Sequence, residues 1–352
     1  MTDANEQRDP IDGLDLPALV RFFTDRVPGF TGRLNAELVH GGRSNLTYRL
    51  TDGQSAWILR RPPLGGLTPS AHDMHREYRV VAALADSDVP VARTVAYGED
   101  DLLGAPFSVV EYVEGTVIRT QEQLHELPAA DIERCAYRLV DVLARLHAID
   151  PVAVGLDGFG RPEGYLARQV RRWHDQWHRV RTRDLEDLDK LHARLAAGCP
   201  VESGSAIVHG DFRIDNAILA PDDPAQVRAI VDWEMATLGD PLADLGLHLV
   251  YRDPDFAPVL AGSAASTSPR LPSPPDLAHR YASATGRDLT ELPFYLALGY
   301  FKIAVIAEGI HARFRQGLTV GTGFETVGQA VAPLAAAGLR ELAATDRGHP
   351  RA

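Results

Sequence analysis

The chain has too few cysteines for a disulfide scaffold, too little positive charge for a nucleic-acid binder and no long apolar run for a membrane span. Its two cysteines, Cys135 and Cys199, are too sparse and too far apart for a disulfide framework or a zinc site, a usage that a reducing cytoplasm tolerates. Lys and Arg number 36 against 48 Asp and Glu, a formal net charge of −12. The chain as a whole is therefore repelled by nucleic acid and by anionic membrane surfaces, although a local basic patch can still take a phosphate. No uncharged apolar stretch reaches the roughly 18 residues of a transmembrane helix, and Met1 to Pro10 is polar and acidic, without an apolar signal region. These absences predict a soluble, cytoplasmic protein with neither nucleic acid nor membrane as a partner. Oligomeric state leaves no local signature.

What is present is enough apolar content, 45% of 352 residues, to bury a sizeable core. The usual size of about 100 to 200 residues per domain favours two domains or lobes. Asp15 to Val27 has helical spacing, with Asp15 placed to cap it. Leu34 to Arg61 reads as three short strands, the last two joined by a tight turn at Asp52 and Gly53. A breaker-rich loop, Pro62 to Ser70, leads to a helix over His72 to Ala85, followed by strands over Thr94 to Tyr97 and Pro106 to Val113. Beyond Gly115 the pattern is helical except for short strand-like runs near Val208, Ile218 and Ile230. The Ser/Pro-rich segment Gly262 to Pro275 has the composition of a mobile loop. The predicted domains are a helical extension (1–28), a β-rich lobe (29–114) and a mostly helical lobe (115–352).

Chemistry concentrates in "IVHGDFRIDN", Ile207 to Asn216, where polar residues stand between two apolar runs. Asp211 can accept or orient a hydroxyl proton, while Asn216 can supply an oxygen to a metal from the same loop. In "AIVDWEMA", Asp232 follows an apolar strand and offers a hard carboxylate for magnesium. In "GDPLADLG", Asp240 is placed to cap a helix beginning at Pro241. In "HGGRSNLTYRL", Gly41 and Gly42, with Ser44 and Asn45, would let backbone amides approach phosphate oxygens without Cβ interference.

In this order the motifs resemble those of the kinase-like phosphotransferases, and "DWEMATLGDPLADLG" resembles the aminoglycoside phosphotransferases and their relatives. The resemblance, carried from Gly41 to Gly246, implies an α+β, protein-kinase-like two-lobed fold. It implies ATP and Mg²⁺ as cofactors, with Asp211 as the catalytic Asp, Asn216 and Asp232 as the metal ligands, and Gly42, Ser44 and Asn45 at the nucleotide phosphates. Arg60 in "AWILRR" takes the place of the phosphate-binding Lys, with Arg61 as its rival and Glu77 as its ion-pair partner. Glu111 and Val113 match the hinge whose backbone holds the adenine edge. Arg213 stands two residues after Asp211, at the place of a Lys on the transferred phosphoryl group. His209 is a structural residue of the loop, and Asp244 braces it from beneath.

Gly210 stands where protein kinases carry the Arg that meets a phosphorylated activation loop, which points away from a protein substrate. "RQVRRWHDQWHRVRTR" (Arg168 to Arg183) and "GYFKIAVIAEGIHARFR" (Gly299 to Arg315) either hold an anionic or partly apolar acceptor or are solvated helix faces. The motifs together look most like the phosphotransferase-like domains associated with acyl-CoA dehydrogenases, implying a hydroxy acid or hydroxyacyl thioester as acceptor. An aminoglycoside or macrolide kinase is the alternative, and a nucleotide-binding pseudokinase or interaction module is the reading of a different class.

Overall fold

The computed structural model describes residues 12–39, 45–64, 73–260, 263–319 and 323–348. The chain divides into two compact units. The first comprises 1–86, 91–114 and 232–234, and the second 87–90, 115–231 and 235–352.

The first unit opens with helix α1 (Leu16–Arg26), whose start is fixed by Asp15: its carboxylate accepts from the Ala18 amide at 3.0 Å. Strands β1 (Asn35–Leu38), β2 (Leu46–Thr51), β3 (Ala56–Arg61), β4 (Thr94–Gly98) and β5 (Phe107–Glu111) form one antiparallel sheet in the order β1-β2-β3-β5-β4. Helix α2 (Met74–Leu84) follows β3, and a single turn, α3 (Asp100–Leu103), separates β4 from β5. The helix α1, read from sequence as a separate extension, instead belongs to this core. Leu19 and Phe23 are fully buried with Trp57 and Phe107, and the Phe23 and Trp57 rings meet edge to face at 5.1 Å.

The β2–β3 connection is longer than a two-residue hairpin turn. Asp52 to Ser55 form it, with the Asp52 carboxylate accepting from the amides of Gln54 (2.9 Å) and Ser55 (2.7 Å). The burial pattern of β3 alternates, so neighbouring Arg60 and Arg61 face opposite sides of the sheet.

The second unit contains α4 (Gln121–His125), α5 (Ala129–Ala148), α6 (Tyr165–Val180), α7 (Glu186–Ala197), β6 (Ala206–Val208), β7 (Ala217–Leu219), β8 (Val227–Ile230) and β9 (Thr237–Gly239). After them come α8 (Pro241–Val250), α9 (Pro274–Thr285), α10 (Leu292–Arg315) and α11 (Val331–Gly348). Strand β9, absent from the sequence reading, pairs with β6; β7 pairs with β8. Helix α10 is long and apolar enough by composition to cross a membrane, but 61% of its most apolar window is buried inside the protein. Its Glu308 carboxylate, fully buried, accepts from the Thr182 amide and hydroxyl at 2.8 and 2.7 Å.

The Ser/Pro-rich segment is not the loose loop its composition predicts. Ser266, Thr267 and Ser268 are buried, and the Arg252 guanidinium donates to the carbonyls of Ser266, Ser268, Leu271 and Pro272. Burial brings Arg252 down to about 10. One guanidinium thus supplies donors to a stretch of chain that has no ladder of its own. Arg252→Met should lower unfolding stability by roughly 1–3 kcal/mol in a urea titration, through the carbonyls it leaves unpaired. Faster proteolytic cleavage within 263–275 should accompany the loss.

Candidate active site

In the second unit, side chains hold the peptide groups of the first four residues of the loop from His209 to Asn216. Asp244, on the first turn of α8 and almost fully buried, lies beneath it: its Oδ2 accepts from the His209 amide at 2.6 Å and its Oδ1 from the Gly210 amide at 2.9 Å. The helix is positioned by Asp240, whose carboxylate accepts from the Leu242 amide (2.9 Å), the Ser203 amide (2.7 Å) and the Tyr295 hydroxyl (2.8 Å). Gly246 lets α8 approach α10 closely, since a Cβ there would lie 2.8 Å from the Tyr295 backbone.

Gly210 has φ +81, and an added Cβ would lie 2.8 Å from the Met235 carbonyl oxygen. Both facts call for glycine where protein kinases have Arg. His209 donates from Nε2 to the Val231 carbonyl (3.1 Å) and accepts at Nδ1 from the Asp211 amide (3.2 Å). These two bonds require a neutral tautomer with both ring nitrogens engaged, a scaffold role and not that of a base. On the other side of the loop, Lys302 of α10 donates to the Gly210 carbonyl at 2.7 Å, and His248 of α8 donates through Nδ1 to the Phe212 carbonyl at 3.0 Å.

The Asp211 carboxylate is held at both oxygens. Oδ1 accepts from the Tyr251 hydroxyl, and Oδ2 from Arg213 Nε (3.2 Å) and Asn216 Nδ2 (3.1 Å). Burial opposes its charge, but Arg213, Tyr251 and Lys302 outweigh that and hold Asp211 below the usual Asp range. It is therefore an oriented anion. Asn216 also donates to the Asp211 carbonyl at 2.9 Å, which leaves its amide oxygen as the metal-capable atom. It sits in a short 3-10 turn (Ile214–Asn216) that leads directly into β7.

Arg213 lies directly against the Asp211 carboxylate. Its Nε meets Asp211 and its Nη1 meets Asp215, with the guanidinium 5.7 Å over the Tyr251 ring. Burial raises Asp215 despite this neighbour, and its Oδ1 is buried without a hydrogen-bond partner.

In the first unit, the alternation of β3 turns Arg60 and Arg61 to opposite faces, and Arg60 is the one that meets Glu77. Arg60 Nε lies 3.1 Å from Glu77 on α2, and its Nη2 lies 2.9 Å from Asp232. Burial opposes the Arg60 charge, but the Glu77 and Asp232 carboxylates hold it above its ordinary value, whereas burial pushes Glu77 up. Arg61, buried on the opposite face, instead donates to the carbonyls of Gly13, Pro62 and Leu103.

Asp232 has φ 67, the one positive value on a non-glycine residue among those described. Such a conformation costs on the order of 1 kcal/mol or more and persists where surrounding contacts impose it. Asn45, buried, donates to the Glu234 carboxylate at 3.3 Å. Gly42 and Ser44 lie outside the described residues. In the segment matched to the hinge, the Glu111 amide donates to the Arg93 carbonyl (2.8 Å) and the Tyr112 amide to Ala56 (3.0 Å). Of the Glu111 peptide groups, the carbonyl is thus the one suited to an adenine contact, and Val113 follows the end of β5.

Sequence reasoning missed Tyr251, Lys302, His248 and His147. The last carries no motif; its Nδ1 meets the Tyr281 hydroxyl at 2.7 Å, and its Nε2 lies 3.3 Å from Asp244. The one available signal was Lys302, a cation in an apolar helical run. Burial lowers it to about 8, and its ammonium lies 5.6 Å over the Trp173 ring.

Burial opposes the Asp244 charge, but His147 and the loop amides hold the carboxyl below the usual Asp range. A depressed folded value contributes stability that is present above the unfolded value and lost as pH falls through the folded one. The acid limb of stability below about pH 4 should therefore be shallower in Asp244→Asn than in the wild type, measured by urea unfolding at stepped pH. At neutral pH the same variant should lose roughly 2–4 kcal/mol, because two loop amides lose a charged acceptor. Lys302→Met should leave the fold intact and disturb only the loop, visible as faster exchange of the Asp211 and Phe212 amides.

The chain matches APH, the phosphotransferase enzyme family, over residues 35–279. It is 36% identical over 338 residues to chicken "Acyl-CoA dehydrogenase family member 11", covering 92% of this chain but 43% of that protein. The chain thus spans less than half the length of such curated relatives. Among solved structures, a Ralstonia eutropha protein provisionally called an aminoglycoside phosphotransferase superposes with a TM-score of 0.81 at 32% identity, covering 94% of this chain and 98% of that one. A thermostable aminoglycoside phosphotransferase APH(4)-Ia, in ternary complex with ADP and hygromycin B, shares the fold at a TM-score of 0.60 and 14% identity, covering 92% and 98%. With this kinase-like architecture and a family match over more than two thirds of its length, the chain belongs to the phosphotransferase enzyme family.

Proposed function

We propose that the protein transfers the γ-phosphoryl group of ATP to a hydroxyl of a small anionic or partly apolar acceptor, a hydroxy acid or hydroxyacyl thioester. The observation that carries this reading is the Asp211 carboxylate, ionised and aimed by three donors within a loop whose backbone is fixed. Phosphoryl transfer passes through a loose transition state, so an enzyme gains most from positioning and charge placement. An Asp with a lowered pKa is a weak base but a well-aimed acceptor for the substrate hydroxyl, and suits that chemistry.

Asp232 and Asn216 are the hard oxygen donors we assign to magnesium. Among the described residues no group of three or more His, Cys, Asp or Glu forms a metal cage. That suits magnesium, which takes one or two protein oxygens and fills its shell with water and phosphate. When bound, the ion would neutralise charge on the phosphates. Arg60, steered by Glu77, is the cation we assign to the nucleotide phosphates, together with Gly42, Ser44 and Asn45, and we assign Glu111 and Val113 to the adenine edge.

The anionic acceptor is favoured by what surrounds the Asp211 loop. Lys302 reaches its backbone, the Trp173 ring lies beside that ammonium, and Arg172 lies 5.8 Å from the same ring. Cations and an indole complement a carboxylate or an acyl chain and repel a polycationic aminoglycoside. The names of the longer curated relatives, which pair a related segment with acyl-CoA dehydrogenase, support the same acceptor class.

A coupled ADP-release screen over hydroxyacyl-CoAs, free hydroxy acids, aminoglycosides and macrolides tests the acceptor. Turnover of an aminoglycoside or macrolide with none of any hydroxyacyl compound would refute it. Asp211→Asn should keep Mg-ATP binding and lose roughly 10²–10⁴-fold in transfer rate. Asp232→Ala should lose the Mg-ATP thermal shift itself; an unchanged shift would remove Asp232 from the metal.

A further inference from the structure

A second place in the molecule collects charge that the chemistry above does not use. In the second unit a cavity of about 720 Å³ lies between α5, the turn joining β7 to β8, and α9. Four arginines line it: Arg134, Arg138 and Arg145 from α5, and Arg280 from α9. Only two carboxylates, Asp141 and Asp223, share the lining, so the walls carry 4 − 2 = 2 excess positive charges in a chain whose net charge is −12.

The arginines are of two kinds. Arg280 is fixed by a two-pronged pair with Asp141, at 2.7 and 2.8 Å, and Arg134 bridges Asp131 (2.7 Å) and Asp223 (2.9 Å). Arg138 and Arg145 lie on the same face of α5, about one turn to either side of Asp141. Among the described residues, Arg145 uses only its Nε, donating to the Asp141 carbonyl at 3.3 Å, and Arg138 has no hydrogen-bond or ion-pair partner. The fixed pairs thus frame two guanidinium groups whose terminal nitrogens are free to bind.

Folding gains little from this arrangement. Arg134 and Arg280 are about half exposed, and pairs at that exposure contribute around 0–1 kcal/mol each. The uncompensated pair adds repulsion. A cavity of this size is within the range that holds a small ligand, roughly 300–1,000 Å³. Planar guanidinium forks match phosphate oxygens two at a time, and the Tyr137 ring in the same wall offers a face for an organic group.

We propose that this cavity is a second anion site, which takes a phosphate-bearing small molecule through Arg138 and Arg145, with Arg134 and Arg280 as the fixed frame. It is carried by α5 and α9, and its occupancy does not depend on the assignment of the acceptor.

The test is isothermal titration with inorganic pyrophosphate in EDTA, on the full chain, comparing the wild type with Arg138→Gln/Arg145→Gln and with Arg60→Gln. Binding by the wild type, weakened about tenfold or more in the α5 double variant and retained in Arg60→Gln, is the expected result. Equal affinity in the double variant, loss in Arg60→Gln, or no binding by the wild type up to roughly 10 mM would overturn the proposal. Arg138 is exposed and Arg145 half-buried, and an unchanged melting temperature in the double variant would confirm that the fold is intact.

Discussion

One buried carboxylate fixes the second unit's chemistry. Asp244 is almost fully buried, and its two oxygens take the amides of consecutive residues at the start of the loop that carries Asp211. A buried charge of this kind is tolerable only when its hydrogen bonds are complete, and completing them forces the loop into one conformation. Gly210 at positive φ, the neutral tautomer of His209, and the single oriented position of Asp211 follow from that constraint. Asp240, four residues earlier, holds the helix start from which Asp244 projects.

The first unit applies the same logic with the opposite sign. Arg60 is a nearly buried cation between two carboxylates, Glu77 and Asp232. Removing either carboxylate would leave charge poorly compensated, so a strand, a helix and a three-residue segment from far along the chain are tied to one guanidinium. The left-handed backbone at Asp232 is the local cost of presenting its carboxylate there. Each unit thus presents oxygen or nitrogen atoms whose positions are set by charge pairing.

Asp211 and Lys302 show how electrostatics divides the labour. The carboxylate is kept ionised by its donors, while burial brings the ammonium to about 8. Asp211 is thus a poor proton acceptor near neutrality, and the Lys302 ammonium is engaged by the Gly210 carbonyl. Both are suited to fixing a substrate against a preset charge distribution, which is what a loose phosphoryl-transfer transition state requires.

The sequence by itself determined the elements whose signals are local: the Asp15 and Asp240 caps and the spacing that places Asn216 against Asp211. Family membership was legible for the same reason, since its motifs are contiguous. Only the tertiary structure decided what depends on distant partners. Tyr251 and Lys302 reach the loop from 40 and 92 residues away, and no periodicity marks such meetings. The tertiary fold also set Arg213 between the Asp211 and Asp215 carboxylates. It likewise buried the Ser/Pro-rich segment, whose composition predicts exposure, because Arg252 supplies the donors that its own backbone cannot.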